Sequence, residues 1–146
     1  MRQILLLVLF GSVGSAATFN VPTPYETIQG AIDASSNGDT ILVAPGTYTS
    51  AEAIIFRGKA ITVKSEDGPY TTTMRMSDTP NNSWRSSVII FEDKATEQVL
   101  DGFTITNGKG TVLMNIWGTS AGGILCIAGG SPTIKNCIVR NNSVAE

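Results

Sequence analysis

The sequence has no histidine, only two cysteines and no run of lysines or arginines in its 146 residues. Without histidine or closely spaced cysteines, it lacks the usual ligands of a zinc site. Ten basic side chains stand against twelve acidic ones, which makes nucleic acid and anionic membranes poor candidate partners. Two cysteines are too few for a disulfide-stapled small fold. We expect Cys126 and Cys137 to be buried small hydrophobes, with a bridge between them as the alternative.

Long apolar runs are absent except at the N-terminus. One basic residue precedes the apolar run from Ile4 to Phe10, and small residues follow up to Ala17. This order is typical of a secretory signal peptide, because about seven apolar residues are far fewer than the roughly twenty of a spanning helix. We predict a signal peptide over residues 1–17, with an uncleaved anchor as the alternative. The mature protein would be secreted, periplasmic or at the cell surface, with no membrane association after cleavage.

The segment after the signal predicts one short helix, from Pro24 to Ser36. Thr23 and Glu26 have the spacing of a capping box, and proline suits the first helical position. Gly38 is predicted to end the helix as a left-handed cap. Three apolar residues fall on one face of it: Ile28, Ala31 and Ile32.

The rest of the chain predicts short strands rich in β-branched residues and broken by Gly, Asn, Asp and Pro. Two segments interrupt this pattern, Glu66 to Ser86 and Gly108 to Ala121. Strands of this kind also fit a sandwich or a barrel. They are predicted near Thr40–Val43, Ala53–Phe56, Ala60–Lys64, Thr72–Met76, Ser87–Phe91, Gln98–Leu100, Phe103–Thr106, Gly123–Ile127, Thr133–Ile134 and Cys137–Arg140.

One uneven spacing of residues occurs twice, 34 positions apart. Side chains alternate along a strand, so the odd step indicates a corner, at Asp101-Gly102 and again at Lys135-Asn136. Glycine and asparagine tolerate the backbone angles of such corners. A chain that bends repeatedly in one sense winds into coils with parallel strand pairing. The repeated positions are Leu100, Phe103, Ile105 and Asn107, then Ile134, Cys137, Val139 and Asn141.

Stacked coils would place Asn107 above Asn141. Amide side chains carry donors and an acceptor, so they can hydrogen-bond along the axis of a stack. This predicts a structural asparagine ladder. The alternative is that both asparagines only end strands in turns.

Five phrases carry a family resemblance: YETIQGAIDAS, GDTILVAPGTY, GKAITVKS, LDGFTITNG and GGILCIAGGSPTIKNCIVRNNS. In this order they resemble the right-handed parallel β-helix proteins of the pectin-lyase-like superfamily. The resemblance implies an all-β solenoid, plugged by one N-terminal capping α-helix, with a groove along one sheet that often binds acidic polysaccharide. Residues 18–146 would be the N-terminal portion of such a domain, truncated at the C-terminus. Downstream coils of the same longer chain would then be its partner, and the uncovered end would make the isolated chain associate.

The family's catalytic residues do not carry over. Its pectate lyases place calcium-binding aspartates along one sheet and use a basic residue, commonly arginine, as the base. Its polygalacturonases use clustered aspartates and a Gly-His-Gly phrase. This chain has neither histidine nor a paired aspartate motif, so we assign no catalytic or metal-binding residue and no cofactor, and Ca²⁺ enters only by analogy. Asp101 fits a structural corner better than a catalytic role.

Three aromatic residues and one arginine are candidate sugar-binding residues. Tyr70 and Trp84 lie in the first interrupting segment and Trp117 in the second, where loops on a rigid scaffold commonly bind ligands. Packing against the coils is the alternative for these rings. Arg140 follows Val139, so it is predicted to face outward, where it would line a groove or remain a solvated surface residue.

Together these observations predict a secreted or cell-surface β-helix repeat module, a structural, adhesive or carbohydrate-binding scaffold with polysaccharide as its partner. The alternative is the N-terminal part of a polysaccharide lyase or glycoside hydrolase whose active site lies beyond residue 146. A small autonomous enzyme ranks third, because no acid, base and electrophile set can be assembled from these residues.

Overall fold

The computed structural model of the protein describes residues 15–92, 94, 97–113 and 118–144. Most of the predicted signal peptide lies outside these residues, and its cleavage stays a prediction. The elements in chain order are β1 (Thr18–Val21), α1 (Ile28–Ala34), β2 (Thr40–Val43), β3 (Gly46–Ser50), β4 (Ile54–Ile55), β5 (Thr62–Ser65), β6 (Thr72–Met76), β7 (Arg85–Ser86), β8 (Ile89–Phe91), β9 (Val99–Asp101), β10 (Thr104–Thr106), β11 (Gly110–Leu113), β12 (Gly118–Ser120), β13 (Ile124–Cys126), β14 (Thr133–Lys135) and β15 (Ile138–Val139).

Most strands belong to three parallel sheets. Sheet 1 has the order β1-β2-β5-β9-β14, sheet 2 the order β3-β6-β10-β15, and sheet 3 the order β4-β8-β13. Every pairing within these sheets is parallel. The chain therefore passes through sheets 1, 2 and 3 in turn and then returns to sheet 1, and we call each such passage a circuit. The prediction of an all-β chain with stacked parallel strands and one short helix is confirmed.

The main core lies between the three sheets, where each circuit contributes side chains at matching positions. In sheet 1, Ile41, Val63 and Leu100 are paired neighbours, and all three are fully buried. In the same core, the rings of Phe56 and Phe91 lie with their centroids 4.4 Å apart. Burying each large apolar side chain contributes about 1.5–3 kcal/mol, so stacking of one circuit on the next is the main source of stability.

The repeated spacing predicted from the sequence is confirmed as a register of the sheets. Leu100 pairs with Ile134 in sheet 1, and Ile105 pairs with Val139 in sheet 2. The predicted corners lie between these strands, where Gly102 and Asn136 have φ values of 86° and 52°. Both values fall in the left-handed region that glycine and asparagine tolerate. The odd step in the sequence is therefore a bend, which leaves Leu100, Phe103 and Ile105 fully buried. In the last circuit the paired residues Ile134 and Val139 are 40% and 52% exposed.

The helix is shorter than predicted at its N-terminus, and the predicted capping box at Thr23 is wrong. Thr27 is the N-cap: its backbone is extended and its hydroxyl oxygen accepts from the Gly30 N–H at 3.0 Å. The preceding residues fold back onto β1 instead, because the Tyr25 N–H donates to the Asn20 carbonyl. The Tyr25 ring also packs 5.3 Å from that of Phe19.

The predicted C-terminal cap at Gly38 is also wrong. The helix ends at Ala34, and the Ser35 N–H donates to the carbonyls of Ala31 and Ile32. Gly38 does have a positive φ of 90°, but it lies in the turn before β2. There its N–H donates to the Ala60 carbonyl at 2.8 Å. The predicted apolar face is confirmed, since Ile28, Ala31 and Ile32 are buried in the main core.

The two interrupting segments form a small antiparallel sheet that the sequence did not predict. Strands β11 and β12 form a hairpin, and β7 pairs with the other edge of β11. A second apolar cluster joins residues of this hairpin region to the outer side of sheet 3. Its members are Ala53, Ile90 and Leu125, with Ile55, Leu113, Ala121 and Ile127 partly buried against them. The second interruption therefore packs on sheet 3 through Leu113 and Ala121.

Strands β1 and β3 were also missed by the sequence analysis. Their alternate residues are polar and exposed, and Val21-Pro22 and Pro45 flank them closely. Short strands of this composition look like loops, and only pairing with β2 and β6 identifies them.

Candidate ligand-binding surfaces

The outer face of sheet 2 carries two arginines in one row. Met74 and Met76 of β6 fill the core, so Arg75 between them points to the other face of the sheet. Arg75 pairs with Thr106 of β10. Arg140 follows Val139, which pairs with Ile105, and this places Arg140 beside Thr106. The two arginines therefore lie on strands two positions apart, with backbones about 9–10 Å from each other.

Asp78 is the one acidic group in this row, and it is surrounded by donors. Its Oδ1 accepts from Arg75 Nη2 at 2.7 Å and from Asn107 Nδ2 at 3.1 Å, while Lys109 Nζ donates to its backbone carbonyl. The Asn107 hydrogen bond, followed by that of Arg75 and its positive charge, holds the pKa of Asp78 below the ordinary value. Asp78 stays ionised and orients Arg75 across the face.

The row is positively charged as a whole. Arg75, Lys109 and Arg140 contribute three positive charges against the single negative charge of Asp78. Arg140 is exposed, and it has no ion pair within the described part of the chain. We call Arg75, Asp78, Asn107, Lys109 and Arg140 the basic row. Such a surface attracts carboxylate or sulfate groups.

Neither Tyr70 nor Trp84 belongs to the basic row. Tyr70, at the corner between β5 and β6, is 92% exposed, and Trp84, just before β7, is 61% exposed. These rings are on different corners of the circuit. Trp117 lies outside the described residues. Their sugar-stacking role therefore stays a prediction, and the structure gives no joint site with Arg140.

The two asparagines of the predicted ladder meet through their backbones. The Asn107 N–H donates to the Asn141 carbonyl at 3.1 Å, and both residues have positive φ values, 63° and 53°. The Asn107 side chain donates instead to the Met76 carbonyl at 2.7 Å. Within the described residues no hydrogen bond joins the two side chains, because the left-handed backbone turns the Asn107 amide toward the preceding circuit.

Asn142 makes the side-chain contacts expected of its neighbour in the sequence. Its Oδ1 accepts from the Gly108 N–H at 2.8 Å, and its Nδ2 donates to the Ile105 carbonyl at 3.0 Å. Both of these Asn142 contacts run from its side chain to the backbone of the preceding circuit. This differs from the predicted stacking of one amide on another.

The two cysteines are free, and only one resembles a core residue. Cys137 packs partly buried against the main core, at the position that Phe103 has one circuit earlier. Cys126 is exposed, so its prediction as a buried residue is wrong. It pairs with buried Phe91, but β13 is the edge strand of sheet 3 and no described strand covers it. Partial burial nevertheless raises the pKa of its thiol.

Asp101 has structural contacts. Its Oδ1 accepts from Asn136 Nδ2 at 2.8 Å, and its other oxygen lies 3.5 Å from Lys135 Nζ. These contacts join the two predicted corners across neighbouring circuits.

In the described part of the chain, no group of three or more acidic or cysteine side chains is placed to hold a metal ion. No helix there is long and apolar enough to cross a membrane.

A groove lies between the N-terminal turn of α1 and strand β3. Its first cavity has a volume of about 270 Å³ and is walled by residues 26–29 on one side and by Thr47 to Ser50 on the other. A second cavity of about 250 Å³ continues it past Glu52 and Ala53. The two cavities share Thr27, Gln29 and Ser50. The two cavities are therefore adjacent, and we call them together the groove.

Of the basic row, only Arg140 and Asn107 were predicted from the sequence. Arg75 had a signal, because it lies between two apolar residues of a predicted strand and must face outward. Lys109 had none, since its partner Asp78 is 31 residues away in the chain, and the contact of Asp78 with Asn107 likewise spans 29 residues. Comparisons with family models, with curated protein sequences and with solved structures found no match.

Proposed function

We propose that this protein is a secreted module of a right-handed parallel β-helix, similar to the pectin-lyase-like superfamily, and that its basic row binds acidic polysaccharide. The strand order supports the fold, because each circuit visits the three sheets in the same sequence. Parallel strands joined by crossover connections are right-handed in about 98% of cases, which supports the handedness.

The observation that carries the binding proposal is the position of Arg75 and Arg140 in one outward row of a rigid sheet. Arginine forms paired, charge-assisted hydrogen bonds with carboxylates. Two arginines two strands apart can hold two acidic groups of one extended chain. Because pairing with β10 holds the backbone at both positions, little backbone entropy is lost on binding, and the entropy cost lies in the two side chains.

Hydroxyl groups along the same face support a sugar ligand. Arg75 is flanked on the neighbouring strands by Thr49 and Thr106. A second line of paired residues beside them consists of Thr47, Thr73 and Thr104. Thr104 is already engaged, since its hydroxyl donates to the Pro69 carbonyl at 2.7 Å. The remaining threonines offer donors and acceptors that suit the hydroxyls of a saccharide.

The experiment is a binding titration with polygalacturonate and with uncharged dextran of similar length. We expect binding to polygalacturonate alone, weakening as salt is added. Arg140→Gln should weaken it by about fivefold, which corresponds to about 1 kcal/mol. Lys135→Gln is the matched control, because it removes the same charge from the outer face of sheet 1.

Two results would count against this assignment. Equal binding of dextran and polygalacturonate would show that charge does not select the ligand. Equal weakening by Arg140→Gln and Lys135→Gln would show that net charge matters but the basic row does not.

A further inference from the structure

The first circuit contains strands β2, β3 and β4, and each has one edge that faces away from the second circuit. The backbone hydrogen-bonding groups on these three edges have different partners. Strand β2 is covered by β1. Strand β4 is covered by a side chain: the Ile55 N–H donates to Gln29 Oε1 at 2.8 Å, and Gln29 Nε2 donates to the Ile55 carbonyl at 3.1 Å. The Gln29 amide thus takes the place of a peptide group. Strand β3 has no such partner among the described residues.

The backbone groups on the free edge of β3 can be identified from its pairing. The Gly46 N–H donates to the Thr71 carbonyl, and the Ser50 carbonyl accepts from the Ser77 N–H. Residues 46, 48 and 50 therefore turn their backbone groups toward β6. Because successive residues of a strand face opposite ways, Thr47 and Thr49 present their N–H and carbonyl groups on the other side.

These free groups face the groove already described. Thr47 and Thr49 line its first cavity together with Glu26 and Gln29 of the opposite wall. Helix α1 packs on β1, β2 and β4, and the cavity lies where it leaves β3 uncovered. The space between a strand edge and a helix is the shape that accepts an added strand.

The charge of the groove selects among extended chains. Glu26 lines the first cavity and Glu52 the second, and both are exposed. The one arginine of these two cavities, Arg57, is already paired with Asp33 at 3.0 Å. The net negative charge favours lysine or arginine side chains in the occupant and disfavours an acidic polysaccharide.

We infer that the groove between α1 and β3 binds an extended peptide segment with basic side chains, which adds to sheet 2 as a further strand. Its backbone pairs with Thr47 and Thr49, and its basic side chains lie near Glu26 and Glu52. A peptide fits better than a saccharide because donors and acceptors repeat every second residue along β3, as they do in any partner strand. This inference does not rest on the proposed polysaccharide site: the peptide uses the backbone groups of Thr47 and Thr49 at the edge of the sheet, whereas a saccharide would contact their side chains on its outer face.

The probe is an acetylated and amidated hexapeptide of alternating lysine and valine, tested by calorimetric titration. Thr49→Pro removes one free N–H and should weaken binding at least tenfold. Proline is tolerated on a strand edge where its nitrogen has no partner. Thr18→Pro is the matched control, because it places proline on the free edge of β1 in sheet 1, and it should leave the affinity unchanged.

Two further probes keep the test valid if Thr49→Pro unfolds the protein. Methylation of the peptide nitrogens at alternate residues should abolish binding in one of the two registers, and replacement of lysine by glutamate should abolish it altogether. The inference is overturned if the lysine peptide does not bind at millimolar concentration, or if the glutamate peptide binds equally well. It is also overturned if the Thr47 and Thr49 amides exchange slowly in the free protein, because another segment would then cover the edge.

Discussion

Lys59 fastens the end of helix α1 to the corner between β4 and β5. Its ammonium group donates to three carbonyls, those of Ile32, Asp33 and Ser35, at 2.7, 2.9 and 2.8 Å. The last carbonyls of a helix have no partner within the helix, and a cation there also opposes the helix dipole. One side chain from the next corner therefore does what Gly38 was predicted to do.

Lys59→Met should lower the free energy of unfolding by about 1–3 kcal/mol, because charge-assisted hydrogen bonds to half-buried carbonyls are lost. Denaturant unfolding measures this difference. Lys64→Met, on the exposed outer face of sheet 1, is the matched control and should change stability by less than about 0.5 kcal/mol. Equal losses of stability in the two variants would contradict the proposal that Lys59 caps helix α1.

Asp39 provides a second residue-scale test, through pH. Its carboxylate accepts from the Ala17 N–H at 2.8 Å and from the Ser36 N–H at 2.7 Å, and these two bonds, Ala17 first, lower its pKa below 3.8. A lowered pKa in the folded state means that the stabilisation is complete above 3.8 and is lost as the pH falls through the folded-state value.

In a chain that retains Ala17, we therefore expect Asp39→Asn to be less stable than the parent protein at pH 7, with the difference lost as the pH falls below 3.8 and through the folded-state pKa of Asp39. Unfolding curves at several pH values measure it. A difference that stays constant down to the most acidic pH would contradict the role of the ionised carboxylate.

Three backbone segments lie very close together where the residues that flank β11 and β12 meet the last circuit. A Cβ atom added to Gly108 would lie 1.7 Å from the Gly122 carbonyl oxygen, and one added to Gly122 would lie 2.3 Å from that of Ser143. The Ser143 N–H donates to the Gly108 carbonyl at 2.9 Å. Glycine is required here because three backbone segments share the space of one side chain.

Gly108→Ala should destabilise the protein by about 2–4 kcal/mol, because a rigid backbone must shift to relieve the overlap. Gly68→Ala is a useful comparison: its Cβ would meet open space, although its φ of 86° disfavours alanine. That strain alone costs about 1–2 kcal/mol. Thermal unfolding should therefore show the larger loss for Gly108→Ala, and the reverse order would contradict the close approach.

At the level of elements, the sequence predicted what depends on local pattern. The apolar face of α1 and the strands Thr40–Val43 and Thr72–Met76 were predicted as they occur. The capping residues were wrong because their choice depends on Tyr25 packing on Phe19 and on Lys59 reaching back from the next corner. Contacts of that range leave no periodic signal in the sequence.

At the level of the whole molecule, the pairing of distant strands was predictable because it repeats. The equal spacing from Leu100 to Ile134 and from Ile105 to Val139 is the register of two sheets. The binding surfaces were less predictable. The basic row depends on the register of β6, β10 and β15, and the circuits that join these strands differ in length. The groove depends on where α1 leaves β3 uncovered.

The central claim is that successive circuits stack in register as three parallel sheets. Interstrand nuclear Overhauser contacts in isotope-labelled protein test it most directly. We expect parallel contact patterns between Leu100 and Ile134 in sheet 1, between Met74 and Ile105 in sheet 2, and between Ile90 and Leu125 in sheet 3. Antiparallel patterns between these strands, or contacts shifted by one residue, would contradict the stacking and with it the alignment of Arg75 and Arg140.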